Sequence, residues 1–439
     1  MYLGGISFMK FKLINPTNRP QVLPSMSGGT QGTEILVLDV NSYAWSWGYG
    51  QFGQLGNNAL QQSYPILVSN QQWKQLIIGG EQGAVLGVDM AGYAWEWGNN
   101  QYGGLGNNST INTSSPVSVL GGYKWQSFAM TSTLVGALDI NSYAWSWGAI
   151  GGTAVPVSSP VSVRGGRQFT QLIANSYANN GAILGLDANS YAWTWGGNQY
   201  GGLGNNTQAA SNSPVSVVGN RRWRSIAAAA TTGSVFYGLD TNSYAWSWGE
   251  NGQGYLGNNT INNNSSPVSV VGNRQFTKIF ANVGDGWAAY ALDGNGYAWS
   301  WGYNSKGQLG NNSVSSASSP VSVVGGIQFT AILPGGQTIF GLTANGVLWG
   351  WGNNSYGQFG VSNTISQSSP VSIMSGVSLA NLTVTDDSAV YLFSGSTLWG
   401  WGGRNGGGVG DGTTAYRSSP VSIVTSSMAR GPATVIYGM

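Results

Sequence analysis

The sequence has 439 residues, a formal net charge of +2 at pH 7, 70 glycines and 20 tryptophans, and it lacks both cysteine and histidine. The near-neutral charge excludes a general electrostatic attraction to nucleic acid or membranes, and the missing cysteines exclude disulfides and thiol chemistry. Because histidine is the commonest general base and transition-metal ligand, we expect no enzyme activity, no metal and no cofactor.

Residues 1–33 precede the first repeat, and we predict that they form an N-terminal extension that docks on a partner. Lys10 and Lys12 follow the apolar part of this segment, whereas the cations of a secretory signal precede its apolar run. We therefore expect no cleavable signal peptide. No run of about 18 apolar residues occurs in the sequence, so no membrane span is predicted.

A Trp-x-Trp-Gly segment recurs eight times at intervals of about 50 residues, a period typical of stacked sheets that each bury a neighbour's face. Residues 34–439 are therefore predicted to form one all-β domain, a closed β-propeller of four-stranded blades. The predicted structural core consists of the paired tryptophans, which are Trp45, Trp47, Trp95, Trp97, Trp145, Trp147, Trp193, Trp195, Trp246, Trp248, Trp299, Trp301, Trp349, Trp351, Trp399 and Trp401.

The segment 115–148 illustrates the predicted unit, with strands at 116–120, 125–130, 134–138 and 143–147. Alternation along the last strand places Tyr143, Trp145 and Trp147 on one face, and Ala144 and Ser146 on the other. Large rings facing small residues are what neighbouring radial sheets require. We therefore expect the tryptophans to be wedged between adjacent sheets.

A Gly-rich connection such as residues 99–108 follows each Trp pair and leads to the next Ser-Pro-Val. After the third pair the connection is reduced to residues 149–156, which predicts a notch in one face of the ring. The ends of the chain provide half-units, residues 34–48 and 418–437, the latter with strands at 420–424 and 433–437. Joined, they would close the ring as an eighth blade. We predict eight blades, with seven as the alternative.

A pattern Trp-Gly-x-Asn-x-x-Gly-Gln-Leu-Gly, nearly intact at residues 301–310 and 351–360, precedes Pro-Val and a later Leu-x-x-x-Gly-x-x-Trp. It resembles the regulator of chromosome condensation repeat. The resemblance implies a β-propeller, usually seven-bladed in that family, and a regulator of a small GTPase or a chromatin binder. The present chain lacks the family's Gly-x-x-His-Thr segment, and no position matches a functional residue of the family.

Acidic residues recur at one turn of six successive repeats, namely Asp39, Asp89, Asp139, Asp187, Asp240 and Asp293. Two interpretations are a cation-binding ring and simple turn capping, of which turn capping is favoured because Thr343 and Ser394 occupy this position later. Glu96 replaces the small residue between paired tryptophans, and we expect it to be buried. No spacing of acids indicates a catalytic pair.

Nine of the sixteen cations cluster at the turn before a strand, or in that strand, in five consecutive units. Equivalent positions in a propeller project to one face, so they predict a basic arc, which consists of Lys74, Lys124, Arg164, Arg167, Arg221, Arg222, Arg224, Arg274 and Lys278. Such an arc fits an acidic protein partner or a polyanionic glycan, whereas nucleic acid is disfavoured by the low net charge. The alternative is a solvated rim.

The sequence favours a non-enzymatic structural or interaction propeller within a larger assembly, presenting loops for protein–protein contact. Its Asn/Gly/Ser-rich repeats resemble those of phage or viral particle proteins and surface appendages, an analogy that favours a virion or an extracellular surface without fixing the localisation. A carbohydrate-binding propeller is a second hypothesis, since repeated loops carry Tyr102, Tyr200, Tyr255, Tyr356 and Asn-x-Ser/Thr acceptors. A GTPase or chromatin regulator is the third. A homo-oligomer also remains open.

Overall fold

The computed structural model describes residues 34–39, 41–79, 83–152, 156–175, 181–229, 234–282, 286–378, 382–384, 389–394, 397–403, 408–423 and 434–436. The predicted docking extension, residues 1–33, lies outside the described residues. Within them no helix is long and apolar enough to cross a bilayer.

The regular secondary structure of the described residues is β-strand, apart from a short 3-10 turn at Ile150–Gly152. Its strands in chain order are β1 (Glu34–Leu38), β2 (Tyr43–Tyr49), β3 (Gln61–Ile78), β4 (Ala84–Asp89), β5 (Ala94–Gly98), β6 (Thr113–Ser118), β7 (Trp125–Met130), β8 (Leu134–Asp139), β9 (Ala144–Gly148), β10 (Val157–Ser162), β11 (Phe169–Asn175), β12 (Ala182–Asp187), β13 (Ala192–Gly196), β14 (Ser211–Ser216), β15 (Trp223–Ala229), β16 (Val235–Asp240), β17 (Ala245–Gly249), β18 (Asn264–Ser269), β19 (Phe276–Ala281), β20 (Ala288–Asp293), β21 (Ala298–Gly302), β22 (Ala317–Ser322), β23 (Ala331–Gly335), β24 (Thr338–Leu342), β25 (Leu348–Gly352), β26 (Gln367–Met374), β27 (Leu382–Val384), β28 (Ala389–Ser394), β29 (Thr397–Gly402), β30 (Arg417–Ser422) and β31 (Thr434–Ile436).

These strands form seven separate antiparallel sheets arranged as a β-propeller, which matches the seven-blade alternative by number of sheets. Six sheets have four strands, from β7–β10 to β27–β30, and one has seven in the order β31-β1-β2-β3-β4-β5-β6. The seven-stranded sheet contains two Trp-x-Trp strands, β2 and β5, because the 18-residue β3 pairs with β2 through its first part and with β4 through its second. The eight Trp pairs therefore lie in eight four-strand units, two of which share β3.

We number these units 1 to 8 along the chain, unit 1 being β31, β1, β2 and the first part of β3. Each other unit contains an innermost strand, a second strand, the Trp strand and an outermost strand. Successive units also contact each other through single backbone bridges such as Tyr191 with Arg222 and Tyr244 with Gln275. The equivalent pairing between units 1 and 2 joins Tyr43 of β2 to Gln72 of β3. At this point β3 runs without a break from unit 1 into unit 2.

Ring closure occurs in unit 1, where Leu36, Val37 and Leu38 of β1 pair with β31. The prediction that the two ends of the chain complete one sheet is confirmed, but its strand assignment was wrong. The segment containing Pro420 lies in β30 and pairs with Trp399 and Gly400 of β29, so it belongs to unit 8. Unit 1 thus takes three strands from the beginning of the chain and one from its end.

The same correction applies to every unit, because the Ser-Pro-Val strand pairs with the preceding Trp strand and not with the strand that follows. In β6, for example, Ser118 pairs with Trp95, and the strand begins at Thr113 and not at Pro116. Pro is tolerated within this strand because the outermost position leaves one edge unpaired with another strand. The predicted strand over 125–130 agrees with β7.

The core lies between adjacent units, as the alternation in the Trp strand predicts. Trp147 packs with Trp125 against Leu86 and Leu105 of unit 2, while Ala144 from the opposite face packs with Trp195 of unit 4. Nine tryptophans, including the second member of every pair, are fully buried. The interaction that joins the chain ends follows the same rule, since Trp47 packs with Tyr391 of unit 8 at a ring-centroid distance of 6.0 Å.

The glycine that ends each Trp-x-Trp-Gly segment has a positive φ, for instance +108° at Gly249. A Cβ added there would collide with the carbonyl oxygen of Ser234, which directly precedes the neighbouring strand β16. Glycine is therefore needed both for the backbone conformation and for the close approach of the strand.

Candidate functional site

Each Asp turn connects the second strand of a unit to its Trp strand and is held by one carboxylate. In unit 5, Asp240 Oδ1 accepts the backbone N–H groups of Asn242 at 2.9 Å and Tyr244 at 3.0 Å, and Oδ2 accepts the indole N–H of Trp246 at 3.0 Å. The same three bonds occur in the turns of Asp39, Asp89, Asp139, Asp187 and Asp293. Turn capping is confirmed.

The Asp turns also join neighbouring units. Ser243, at the end of the Asp240 turn, has φ of 70°, and its carbonyl accepts the backbone N–H of Phe276 at the start of unit 6. Equivalent bonds join Ser190 to Trp223 and Gly296 to Phe329. The described residues contain no group of three or more acidic side chains that could hold a metal ion. The Asp turns and the connections between units therefore form one face of the ring, which we call the Asp-turn face.

Three arginines of the predicted basic arc stack on tryptophans of this face. The guanidinium carbons of Arg167, Arg221 and Arg274 lie 3.4, 3.3 and 3.4 Å from the ring centroids of Trp193, Trp246 and Trp299. Each of these indoles is also bonded to the Asp of its turn, so an aromatic ring links a cation to an anion within one unit.

Charge and burial act in opposite directions on Arg221. Burial against the indole lowers the pKa of Arg221, and the charge of Asp240 opposes that change. In unit 4 the corresponding arginine and aspartate form a salt bridge, with Arg167 Nη1 3.6 Å from Asp187 Oδ2. The stacked arginines are therefore part of the packing of the face.

The position of the stacked arginine is a packing position in other units as well. In unit 3, Tyr123 occupies it and lies 4.0 Å from Trp145 by ring centroids. In unit 7, Ile327 occupies it and packs in the same cluster as Trp349. An aromatic, an aliphatic or a planar cationic group can thus cover the first tryptophan of a pair.

The remaining arc residues fall into two groups. Lys74, Lys124, Arg164, Arg222 and Arg224 are exposed. Lys278 differs, because its Nζ donates to the carbonyl of Thr330 in unit 7 at 2.6 Å, and burial lowers its pKa. The exposed cations therefore lie at turns and strand starts of the Asp-turn face in several units, whereas Lys278 contacts the next unit.

Some exposed cations contact the preceding unit. Lys124 Nζ lies 5.9 Å from the ring centroid of Tyr93, and the Arg222 guanidinium lies 5.5 Å from that of Tyr191. Arg224 donates to Ser243 Oγ within its own unit at 2.9 Å. Cations of one unit therefore lie over tyrosine rings of the preceding unit at two of these boundaries.

Glu96 is fully buried, as expected, and neither of its carboxyl oxygens has a hydrogen-bond partner. Burial raises the pKa of Glu96 well above its ordinary value, and the nearby Trp147 indole opposes this only in part. The N–H of Trp147 is already donated to the Gly104 carbonyl at 2.8 Å. Glu96 is an isolated acid in an apolar interface, which gives it no catalytic partner among the described residues.

The opposite face, which we call the loop face, carries the Gly-rich connections. A buried asparagine organises each regular connection: Asn251 Oδ1 accepts the N–H of Leu256 at 2.8 Å, and its Nδ2 donates to the carbonyls of Thr260 and Asn262, both at 3.0 Å. Asn100, Asn198, Asn304 and Asn354 make corresponding bonds. Sequence reasoning did not assign this role, although the Asn of the Trp-Gly-x-Asn pattern was its signal.

The asparagines proposed as glycosylation acceptors also serve these loops. Asn258 Oδ1 accepts the backbone N–H of Thr260 at 3.2 Å, and Asn205 does the same for Thr207 at 3.3 Å. Among the tyrosines proposed to stack on sugars, Tyr255 is buried, and its carbonyl accepts the indole N–H of Trp301. Packing within the loops therefore uses several of the groups that a glycan site would need.

Four segments of the chain match the family model of the regulator of chromosome condensation (RCC1) repeat, at residues 91–138, 191–234, 295–334 and 345–386. Among solved structures, Prp20p from Saccharomyces cerevisiae, reported with its binding properties to Gsp1p and histones, is 18% identical with a TM-score of 0.58, covering 82% of this chain and 91% of that chain. Human WBSCR16 is 16% identical with a TM-score of 0.58, covering 80% of this chain and 96% of that chain. Yeast RCC1 (Prp20) bound to Kap60 is 17% identical with a TM-score of 0.57, covering 86% of this chain and 94% of that chain. At these identities the structural likeness shows the fold.

Proposed function

We propose that this β-propeller, four segments of which match the regulator of chromosome condensation repeat, is a non-enzymatic interaction protein whose Asp-turn face binds an acidic protein partner. The observation that carries the proposal is the cluster of exposed cations, Lys74, Lys124, Arg164, Arg222 and Arg224, on one face of a chain with a net charge of only +2. The nine cations of the arc outnumber the six turn aspartates of this face, and such a local excess of positive charge attracts negative charge even where the whole molecule is nearly neutral.

The packing of the face supports binding by a rigid surface. Arg167, Arg221 and Arg274 are fixed by their tryptophans, so the backbone that presents the exposed cations lies on an ordered layer. A rigid surface loses less conformational freedom on binding a partner than flexible loops would, because its side chains are already ordered. A place in a larger assembly, including a viral particle or surface appendage, follows from this proposal only if the partner is another structural protein.

Charge reversal at the exposed arginines is the direct test. The triple variant Arg164→Glu, Arg222→Glu and Arg224→Glu should abolish binding to an immobilised polyglutamate peptide at low salt, while the wild type binds and is released by salt. Arg221 is left unchanged because its reversal would break the stack on Trp246.

Lys306→Glu is the matched control for the single variant Arg222→Glu, since Lys306 is an exposed cation of the loop face. We expect Arg222→Glu to weaken polyglutamate binding and Lys306→Glu to leave it unchanged. Equal effects of the two variants, or no binding by the wild type at low salt, would contradict an acidic partner at the Asp-turn face.

The two other candidate functions are tested by separate assays. Binding that a free sugar competes on a glycan array would favour the carbohydrate-binding propeller. Nucleotide exchange on a panel of small GTPases tests the function suggested by Prp20p, whose reported partners are Gsp1p and histones. A flat exchange result together with salt-sensitive polyglutamate binding supports the interaction protein.

A further inference from the structure

Three consecutive units carry the same arrangement of side chains on the Asp-turn face, in which an arginine covers a tryptophan and the tryptophan is bonded to the turn aspartate. The stacked arginines are Arg167 in unit 4, Arg221 in unit 5 and Arg274 in unit 6. Stacking uses the flat face of each guanidinium group. The N–H groups lie in the plane of the guanidinium, so its edge is still able to donate hydrogen bonds.

The edges of the stacked arginines have little to bind within the protein. Among the residues that the structure describes, none of the three guanidinium groups donates a hydrogen bond, and their one ion pair is the 3.6 Å approach of Arg167 Nη1 to Asp187 Oδ2. The exposed Arg224, in contrast, donates to Ser243 Oγ at 2.9 Å. An oriented guanidinium with unused in-plane donors is a fork that can bind a carboxylate through two parallel hydrogen bonds.

Packing alone does not require an arginine at these positions. Tyr123 covers Trp145 in unit 3, and Ile327 packs in the same cluster as Trp349 in unit 7. The covering side chain can thus be aromatic or aliphatic, whereas units 4 to 6 all use the residue that both stacks and offers a fork of donors. The run of three arginines therefore indicates a role beyond packing.

The face remains positive in this region after its acids are counted. From the turn before unit 4 to unit 6, its described residues include six arginines and three acids, which are Arg164, Arg167, Arg221, Arg222, Arg224 and Arg274 against Asp187, Asp240 and Asp293. Each of these carboxylates accepts two backbone N–H groups and an indole N–H. The acids are therefore already used within the turns, and they leave an excess of positive charge for a partner.

The turn aspartate near each stacked arginine limits the charge of a suitable ligand. Asp187 lies within ion-pair distance of Arg167, and the charge of Asp240 raises the pKa of Arg221 against the effect of burial. A phosphate group carries about two negative charges at neutral pH, so this aspartate repels it more strongly than it repels a singly charged carboxylate. A carboxylate also matches the planar fork. The stacked arginines therefore fit aspartate and glutamate side chains better than phosphorylated ones.

We propose that the three stacked arginines are carboxylate-binding subsites, which bind aspartate or glutamate side chains in one acidic segment of the partner across units 4 to 6. The inference rests on the proposed function of the Asp-turn face and adds which arginines recognise the partner and by what chemistry. The exposed cations attract the acidic segment by charge, whereas the stacked arginines bind its carboxylates through paired hydrogen bonds. Stacking on tryptophan orders each fork in advance, which lowers the entropic cost of binding.

Replacement of arginine by lysine separates the two contributions, because lysine keeps the charge and loses the planar fork. The stacked variant carries Arg167→Lys, Arg221→Lys and Arg274→Lys. Its dissociation constant for an immobilised polyglutamate peptide at low salt should rise about tenfold or more over the wild type. The thermal unfolding midpoint verifies that the variant keeps the fold.

The matched control makes the same charge-conserving change at three exposed arginines, and it carries Arg164→Lys, Arg222→Lys and Arg224→Lys. We expect its dissociation constant to stay within about twofold of the wild type, because these side chains act through their charge. Equal losses of affinity in the two variants, or no loss in the stacked variant, would overturn the proposal. A phosphoserine peptide of the same length that binds the wild type more tightly than polyglutamate would overturn the assignment to carboxylates.

A second measurement uses the wild type and so does not depend on the folding of a variant. Polyglutamate should protect Arg274, which is exposed, from an arginine-selective dicarbonyl reagent, and mass spectrometry of the digested protein locates the modification. Modification of Arg274 that is unchanged at saturating polyglutamate contradicts the proposal. If polyglutamate binding is nevertheless abolished by charge reversal at the exposed arginines, only the stacked subsites fail, whereas a wild type that binds no polyglutamate removes the proposed function as well.

Discussion

The indole N–H of Trp349 is buried without an acceptor because Thr343, six residues earlier, carries a hydroxyl where six preceding units carry a carboxylate. The Thr343 hydroxyl is used within the turn, where it accepts the backbone N–H of Val347 at 3.1 Å. A buried donor without a partner lowers stability because its bond to water is not replaced. This turn is therefore the weakest copy of the Asp turn among those in which the bonds are described.

Thr343→Asp should stabilise the protein by about 1 kcal/mol, because one carboxylate oxygen can hold the turn while the other accepts the Trp349 indole N–H. The measurement is the free energy of unfolding in urea. Thr343→Asn is the matched control, since its amide has one acceptor oxygen and cannot serve both donors. Equal stability of the Asp and Asn variants would show that the indole bond contributes nothing.

Trp195 is the second test of a missing acceptor. Seven of the paired tryptophans donate across a unit interface to a backbone carbonyl, as Trp248 does to Gly202 at 2.9 Å, but the N–H of Trp195 has no partner among the described residues. The connection before unit 4 is the shortened one, where Ile150 packs against Trp195 in the core. The surface notch expected there remains a prediction.

Trp195→Phe should therefore cost less stability than Trp248→Phe, by about 1–2 kcal/mol. Both changes remove the same ring volume from a buried interface, but only the second leaves a carbonyl, that of Gly202, without its donor. Urea unfolding of the two variants gives the difference directly. If the two free-energy losses are the same, the hydrogen bonds at these interfaces have no net value.

Strand positions could be predicted from the sequence, but the partner of the outermost strand could not. The periodicity of residues 125–130 is local and gave β7 correctly. In contrast, a short Ser-Pro-Val strand follows a Trp strand and precedes the innermost strand of the next unit. Its local sequence does not determine which of these two strands it pairs with. The structure pairs Ser118 with Trp95, which moves every unit boundary by one strand.

The residues of the Asp-turn face, too, could be predicted only in part from the sequence. The sequence indicated where the cations of the arc would project, yet it treated Arg221 and Arg222 alike. In the structure Arg221 stacks on Trp246 and Arg222 is exposed. The signal was available in the repeats, because Tyr123 and Ile327 at the position of Arg221 mark it as a packing position.

The buried Glu96 predicts a stability that depends on pH. Its pKa is raised in the folded protein by burial, whereas in the unfolded chain it returns to an ordinary value of about 4.3. The folded state therefore binds this proton more tightly, so its contribution to stability is complete below the unfolded pKa and is lost as pH rises toward the folded pKa. Tyr237, Tyr290 and Tyr391 do not interfere, since burial moves their pKa values further above neutrality.

Glu96→Gln keeps the size of the side chain and removes its titration. The difference in unfolding free energy between variant and wild type should be smallest in acid and should grow in favour of the variant as pH rises toward neutrality. Urea unfolding at a series of pH values measures it. A difference that does not change with pH would mean that Glu96 ionises in the folded protein as it does in water.

Asn251 provides the last prediction, because one side chain satisfies three backbone groups of its loop. Asn251→Ala should destabilise the protein by about 2–3 kcal/mol, since the buried N–H of Leu256 and two loop carbonyls lose their partner. Asn262→Ala, at an exposed position of the same loop, is the control and should change stability by less than about 0.5 kcal/mol. Hydrogen exchange at the Leu256 amide separates local from global effects, because the Asn251 variant should accelerate it more than its loss of stability alone requires. An amide that stays protected in Asn251→Ala would contradict the role assigned to this asparagine in holding the loop.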